Sequence, residues 1–256
     1  MNAVFEVAQN IMINNGLVMS FLFIGLLMWF STIISKYLTK GRIHSSAIAI
    51  ILGLVLAYVG GVLTGGNKGI ADIAAFTGVG VLGSSMLRDF TIVSTAYGAS
   101  ISEIKKCGIV GIISLLLGVV SAFLIGAIFA VCFGYADAVS ITTIAAGTVT
   151  FVVGPVTGSA LGASSPVITI SIAAGVVKSI AVMVVTPFAA KRIGLTTPKA
   201  AMIYGGLMGT TSGVAAGLAA TDTKLVPYGA MTATFYTGLG CLLCPTVLFW
   251  LTRLMF

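Results

Sequence analysis

Charge is what this chain has least of. Only 7 % of its 256 residues are Asp, Glu, Lys or Arg, against roughly 25 % in soluble domains. That is too little to solvate a surface, so a soluble globular fold is excluded. There are six acidic residues and one histidine, His44, which lies beside Lys40 and Arg42 and reads as a solvated loop residue. HExxH, a histidine pair and a mid-span pair of carboxylates are all missing, which removes the common hydrolytic chemistries. GxxxxGK[ST] is also missing, so any pumping must draw on an ion gradient rather than on ATP. The N-terminus has neither a basic region nor a small-residue cleavage site, so no removable signal peptide is expected. Cysteines are few: Cys107, Cys132, Cys241 and Cys244. The last two form CLLC inside an apolar run and read as small buried hydrophobes rather than as a metal or redox pair. Proline is absent before Pro155.

What is present is hydrocarbon. Hydrophobic residues make up 58 % of the chain, and apolar runs near the length of a bilayer crossing recur along it. The fold class is an all-α polytopic integral membrane protein, with about seven full transmembrane helices plus two broken or re-entrant segments. The expected crossings are Leu17 to Ser35, His44 to Thr64, Ile70 to Leu87, Cys107 to Phe133, Ser165 to Ala190, Ala200 to Thr221 and Tyr228 to Leu251. Together they form one transmembrane domain, residues 1–256, with weak halves 1–134 and 135–256. A faint internal repeat is visible, FTGVGVL at Phe76 echoing YTGLGCL at Tyr236. The net charge of +7 comes from short basic clusters between apolar runs and carries no interleaved aromatics, so it marks cytoplasmic loops and not nucleic-acid binding. Lys36, Lys40 and Arg42, then Lys105 and Lys106, then Lys191, Arg192 and Lys199, and finally Arg253 are expected inside. The N-terminus is then outside and the C-terminus cytoplasmic.

Two stretches do not fit as crossings. Segments 88–104 and 139–164 keep the charge pattern consistent if both dip into the membrane, the first from inside and the second from outside. The second contains FVVGPVTGSALGASSP, Phe151 to Pro166. Bare backbone at membrane depth is costly unless protein or a water-filled cavity satisfies it. Gly147, Gly154, Pro155, Gly158 and Gly162 invite a break there, and Thr148, Thr150, Thr157 and Ser159 supply replacement partners. Freed carbonyls and half-helix ends are what transporters use to hold ions. The competing reading is close helix packing through Gly154, Gly158 and Gly162. A second small-residue run, Tyr204 to Asp222, carries Thr210, Thr211 and Ser212 in mid-span.

Charges at membrane depth are functional candidates by default. Arg88 and Asp89, in GSSMLRDF, end the third expected span. Arg88 offers a two-pronged fork for a carboxylate, with Ser84 and Ser85 beside it and Asp89 available to pair with it or to take part in cation coupling. Both also read as interface residues, one snorkelling and one solvated. Lys178 lies deep in the fifth span and must face the bundle interior, a cavity or a partner subunit.

KGRIHSSAIAIILGLVLAYVGG, GVLGSSMLRDFTIVSTAYGAS, FVVGPVTGSALGASSPVITISIAAGVVKSI and GGLMGTTSGVAAGLAATD, in this order and spacing, resemble the MadM subunit family of bacterial malonate:sodium symporters. The resemblance implies malonate uptake coupled to Na⁺ or H⁺, no other cofactor, a smaller MadL-like membrane partner and a bacterial inner-membrane location. It carries over no binding residues. Those come from the residues themselves: Arg88, Ser84, Ser85, Thr157, Ser159 and Lys178 for the dianion, and Asp89, Gly154, Thr210, Thr211 and Ser212 for the cation. A small dicarboxylate needs a cationic clamp with hydroxyl or N–H donors around it, and Na⁺ needs oxygens. A passive pore or a non-transporting membrane scaffold are the alternative readings.

Overall fold

The computed structural model describes residues 9–41, 43–66, 69–82 and 101–256, and among these it contains helices and turns but no strand. Two compact units divide between Ser94 and Thr95.

In the first unit, α1 (Gly16–Tyr37) and α2 (Ser45–Thr64) are continuous apolar helices. His44 caps α2, its Nδ1 accepting from the Ser46 N–H at 3.3 Å. Beyond the left-handed Gly65, the chain forms two 3₁₀ turns, Gly69–Asp72 and Ala74–Phe76, and one helical turn, α3 (Gly78–Val81). The described part of the expected crossing Ile70 to Leu87 is therefore a string of short turns instead of a long helix. A methyl on Gly60 would lie 2.9 Å from the Ile70 nitrogen, so these turns press directly against α2.

The second unit opens with α4 (Ile101–Cys132), interrupted at Gly108. Then come α5 (Ala138–Val149) and α6 (Val153–Leu161), followed by α7 (Ser165–Ala189). Next are α8 (Pro198–Met208) and α9 (Thr211–Ala219). The unit closes with α10 (Val226–Leu243), a π-helical turn at Cys244–Leu248 and α11 (Phe249–Met255). Five described stretches are long and apolar enough to cross a bilayer: Gly16–Tyr37, Ser45–Phe76, Gly108–Cys132, Ser165–Ala189 and Thr223–Met255.

The two short-helix pairs are hairpins. Thr150 is extended, which ends α5, and its hydroxyl accepts from the Val152 and Val153 N–H groups that open α6. A methyl on Gly154 would lie 2.9 Å from the Gly147 Cα, and one on Gly158 would lie 2.8 Å from the Thr143 methyl. A straight helix would hold Thr143 and Gly158 about 22 Å apart. α6 therefore folds back along α5. Segment 139–164 thus contains a break and a reversal, as its glycines and hydroxyls led us to expect. Close packing through small residues is the means of that reversal and not a rival to it.

The expected crossing Ala200 to Thr221 does not hold. Gly209 takes φ +71, a left-handed geometry that ends α8, and Thr210 caps α9 by accepting from the Gly213 N–H at 3.4 Å. A methyl on Gly229 would meet both Leu218 Cδ1 at 2.4 Å and the Ala201 oxygen at 3.3 Å. A straight helix would separate those two residues by about 25 Å. So α8 and α9 also return to one end, with α10 wedged against both.

The two hairpins enter from opposite ends of α7. The α5–α6 pair closes at Gly162, just before α7 begins, and the α8–α9 pair opens just after α7 ends. α9 runs beside α7 in the same direction, Gly213 packing on Ser179 and Gly217 on Thr186. A long helix followed by a hairpin thus occurs twice in opposite sense, α4 with α5–α6 and α7 with α8–α9. Because α8–α9 does not cross, the chain ends at the Asp137 end of this unit. That is opposite Lys191, Arg192, Lys199 and Lys224, whereas the sequence reading put the C-terminus and Arg253 with the basic loops. The difference has one physical source, a segment counted as a span in the sequence that folds back in the structure.

Candidate functional site

Both hairpin tips reach the middle of α7. Lys178 projects its ammonium to the first tip, where Nζ donates to the Val149 carbonyl at 2.9 Å, and to the Tyr236 hydroxyl of α10 at 3.2 Å. Val149 closes α5, so its carbonyl stands at the negative end of a half-helix. Tyr236 donates in turn to the Gly118 carbonyl of α4 at 3.0 Å, which turns its lone pairs toward Lys178. The same ammonium sits 5.1 Å from the Tyr236 ring centroid. Among the described residues no carboxylate pairs with Lys178.

The second tip touches the same place from the other side. The Thr210 and Ser179 hydroxyls are 2.5 Å apart, and both side chains are fully enclosed. The Tyr236 ring lies against Gly209, where an added methyl would meet ring carbons at 2.1 to 2.3 Å. Tyr236 itself is completely buried, in a cluster with Val119, Phe123, Val149, Val153 and Cys244. Two turns further along α7, Thr186 donates to the Val182 carbonyl and shares a 2.6 Å hydrogen bond with the Tyr204 hydroxyl. Three long helices, α4, α7 and α10, and two hairpin tips therefore converge on one cation, three hydroxyls and the Val149 carbonyl.

The residues expected to carry binding fall into three groups. Lys178 and Thr210 are brought together at the centre, with Thr211 and Ser212 half-buried in the first turn of α9 behind them. Thr157, Ser159 and Gly154 lie on α6. Gly154 serves contact, since any side chain there would strike the Ser171 hydroxyl at 2.5 Å. Ser159 is exposed. The Thr157 hydroxyl is buried without a protein partner, as is that of Thr142 on α5. Ser84, Ser85, Arg88 and Asp89, and with them most of segment 88–104, lie outside the described residues. Sequence reasoning missed Tyr236, Ser179 and the Val149 carbonyl. The signal for Tyr236 was its phenol inside the apolar run of α10, and Ser179 was flagged only by following Lys178.

Cys241 and Cys244 are free thiols, Cys244 fully buried among apolar side chains, in keeping with the hydrophobe reading. Among the described residues no group of His, Cys, Asp or Glu side chains is arranged to hold a metal ion.

Opposed half-helix hairpins meeting at a buried cation define a polytopic membrane protein with an enclosed polar centre. Residues 8–256 match the family model described as malonate/sodium symporter MadM subunit, and the chain belongs to that family. Searches of curated proteins and of solved structures return no match.

Proposed function

We propose that this chain is the substrate-binding subunit of a secondary carrier that moves malonate together with Na⁺, and that a malonate carboxylate binds at Lys178 between the two hairpin tips. The observation that carries the reading is an ammonium held at mid-bundle with no acidic partner among the described residues. A lone cation at that depth is expensive and finds its compensation in a transported anion. The enclosed Ser179 and Thr210 hydroxyls and the amide end of α9 supply donors for the remaining carboxylate oxygens.

The hairpins give the access mechanism a physical form. Each closes the centre from one end of the unit, the first tip bonded to Lys178 through the Val149 carbonyl and the second to Ser179 through the Thr210 hydroxyl. Releasing one tip while the other holds opens the centre to one side at a time, and opening both at once would leave Lys178 in a leak. In this reading the basic Lys191 end faces the cytoplasm and Phe256 lies on the outer side of the bacterial inner membrane. A small MadL-like membrane subunit assembles with the chain in this reading, and the coupling ion is Na⁺.

The test is uptake of labelled malonate by proteoliposomes holding this chain and its small partner. Uptake should require an inward Na⁺ gradient, should saturate, and should be lost in Lys178→Ala. Uptake that persists after Na⁺ and H⁺ gradients are both collapsed would contradict coupling. Uptake that survives Lys178→Ala would remove Lys178 from the site.

A further inference from the structure

We propose that the Val149 carbonyl and the Tyr236 hydroxyl, the two oxygens that now hold the Lys178 ammonium, are ligands of the transported monovalent cation, and that Lys178 occupies the cation's place until a substrate carboxylate draws it away. This rests on the carboxylate of the preceding reading binding Lys178.

The donor set is that of a hard cation. Two neutral oxygens from different elements point at one positive group, at 2.9 and 3.2 Å. One is an unspent carbonyl at the negative end of α5, and the other is a phenol whose proton is already committed to Gly118. Neither oxygen belongs to a carboxylate, so the position favours a single positive charge without binding it permanently. An ammonium and a metal ion cannot share these oxygens, because two like charges at contact distance in a desolvated site repel strongly. The ammonium can leave only for a better partner, and a carboxylate is one. Substrate binding then frees the oxygens for the cation, and cation binding blocks the return of the ammonium. Tight coupling follows from competition for one small place. Linkage requires each ligand to raise the other's affinity by the same factor.

The probe is ²²Na⁺ binding to the full chain in detergent, measured with and without malonate in choline-balanced buffer. In the unmodified protein, Na⁺ alone should bind weakly, and saturating malonate should tighten it at least tenfold. Lys178→Ala should bind Na⁺ without malonate at least tenfold more tightly than the unmodified chain does. Tyr236→Phe, which keeps the ammonium and removes one oxygen, should lose most of the malonate-dependent Na⁺ binding. Equal Na⁺ affinity with and without malonate in the unmodified chain overturns the proposal even if Lys178→Ala fails to fold. So does a folded Lys178→Ala that binds Na⁺ no better than its parent. Labelled-malonate binding to Lys178→Ala separates the two ideas. Lost malonate binding with unchanged Na⁺ affinity sinks only the shared-place proposal, whereas retained malonate binding sinks the clamp beneath it.

Discussion

Gly209→Ala is the sharpest perturbation of the centre, because two independent costs meet at one atom. The residue sits at φ +71, where a side chain costs about 1–2 kcal/mol by itself. The added methyl would also lie 2.1 Å from a Tyr236 ring carbon, far inside van der Waals contact. Tyr236 is fully enclosed and its ring has no room to retreat, so overpacking adds about 1–3 kcal/mol. The total is about 2–5 kcal/mol. Gly162 provides a matched control. It has φ +70 but nothing within 4 Å of its missing methyl, so Gly162→Ala carries the backbone cost alone. Thermal unfolding of both variants in detergent isolates the clash as their difference. Malonate binding supplies a second readout, since a displaced Tyr236 loosens its bonds to Lys178 and Gly118. Gly209→Ala should be less stable than Gly162→Ala and should bind malonate at least several-fold more weakly than that control. Equal stabilities and equal affinities would mean that the second hairpin tip does not rest on Tyr236, and the convergence described above would be wrong.

Other variants probe the parts separately. Asp137→Ala removes the cap of α5, where the Asp137 carboxylate accepts from the Ser140 N–H at 2.8 Å, and should cost about 1 kcal/mol in unfolding experiments. That bond holds the Asp137 carboxyl below the usual carboxylate range. The contribution is therefore complete above the unfolded-state pKa and lost as pH falls through the depressed folded value; a variant-to-parent gap that stays constant down to strongly acid pH would refute this. Gly147→Ala places a methyl 2.1 Å from the Ser171 backbone oxygen and should open the first hairpin, seen as protease sensitivity between α5 and α6; full protection would contradict the packing. Thr157→Val removes a buried hydroxyl that has no protein partner, and should raise stability by about 1 kcal/mol; destabilisation would show that the hydroxyl is satisfied.

The long lipid-facing helices were legible in the sequence because hydrocarbon solvation acts on composition. α1, α2, α7 and the long stretch of α4 appear where apolar runs end at polar or glycine-rich turns. The first hairpin was legible for the same local reason, since Gly147, Thr150 and Gly154 make both the break and the close return possible. The second was not. Ala200 to Thr221 is long and apolar enough to cross, and only its contacts with Gly229 and Thr186 reveal that it folds back. Proline does not make the breaks. Pro155, Pro166, Pro198 and Pro227 all stand in the first turn of a helix, where a missing N–H costs nothing, and only Pro187 and Pro245 lie further in. Lys178 announced itself by the cost of its charge. Tyr236 did not, because nothing local separates a phenol that holds an ammonium from one that merely fills space. The pairing depends on residues far apart in the chain that meet only after both hairpins form.

The central claim is that the two hairpins enter from opposite faces. Single cysteines placed at Ala138, Ala163, Thr196 and Asp222 in a cysteine-free background, labelled with a membrane-impermeant maleimide in oriented vesicles, test it most directly. Ala138→Cys and Ala163→Cys should label from one face only, and Thr196→Cys and Asp222→Cys from the other only. If the two ends of either hairpin label from opposite faces, that segment crosses the membrane and the meeting of two tips at Lys178 cannot stand.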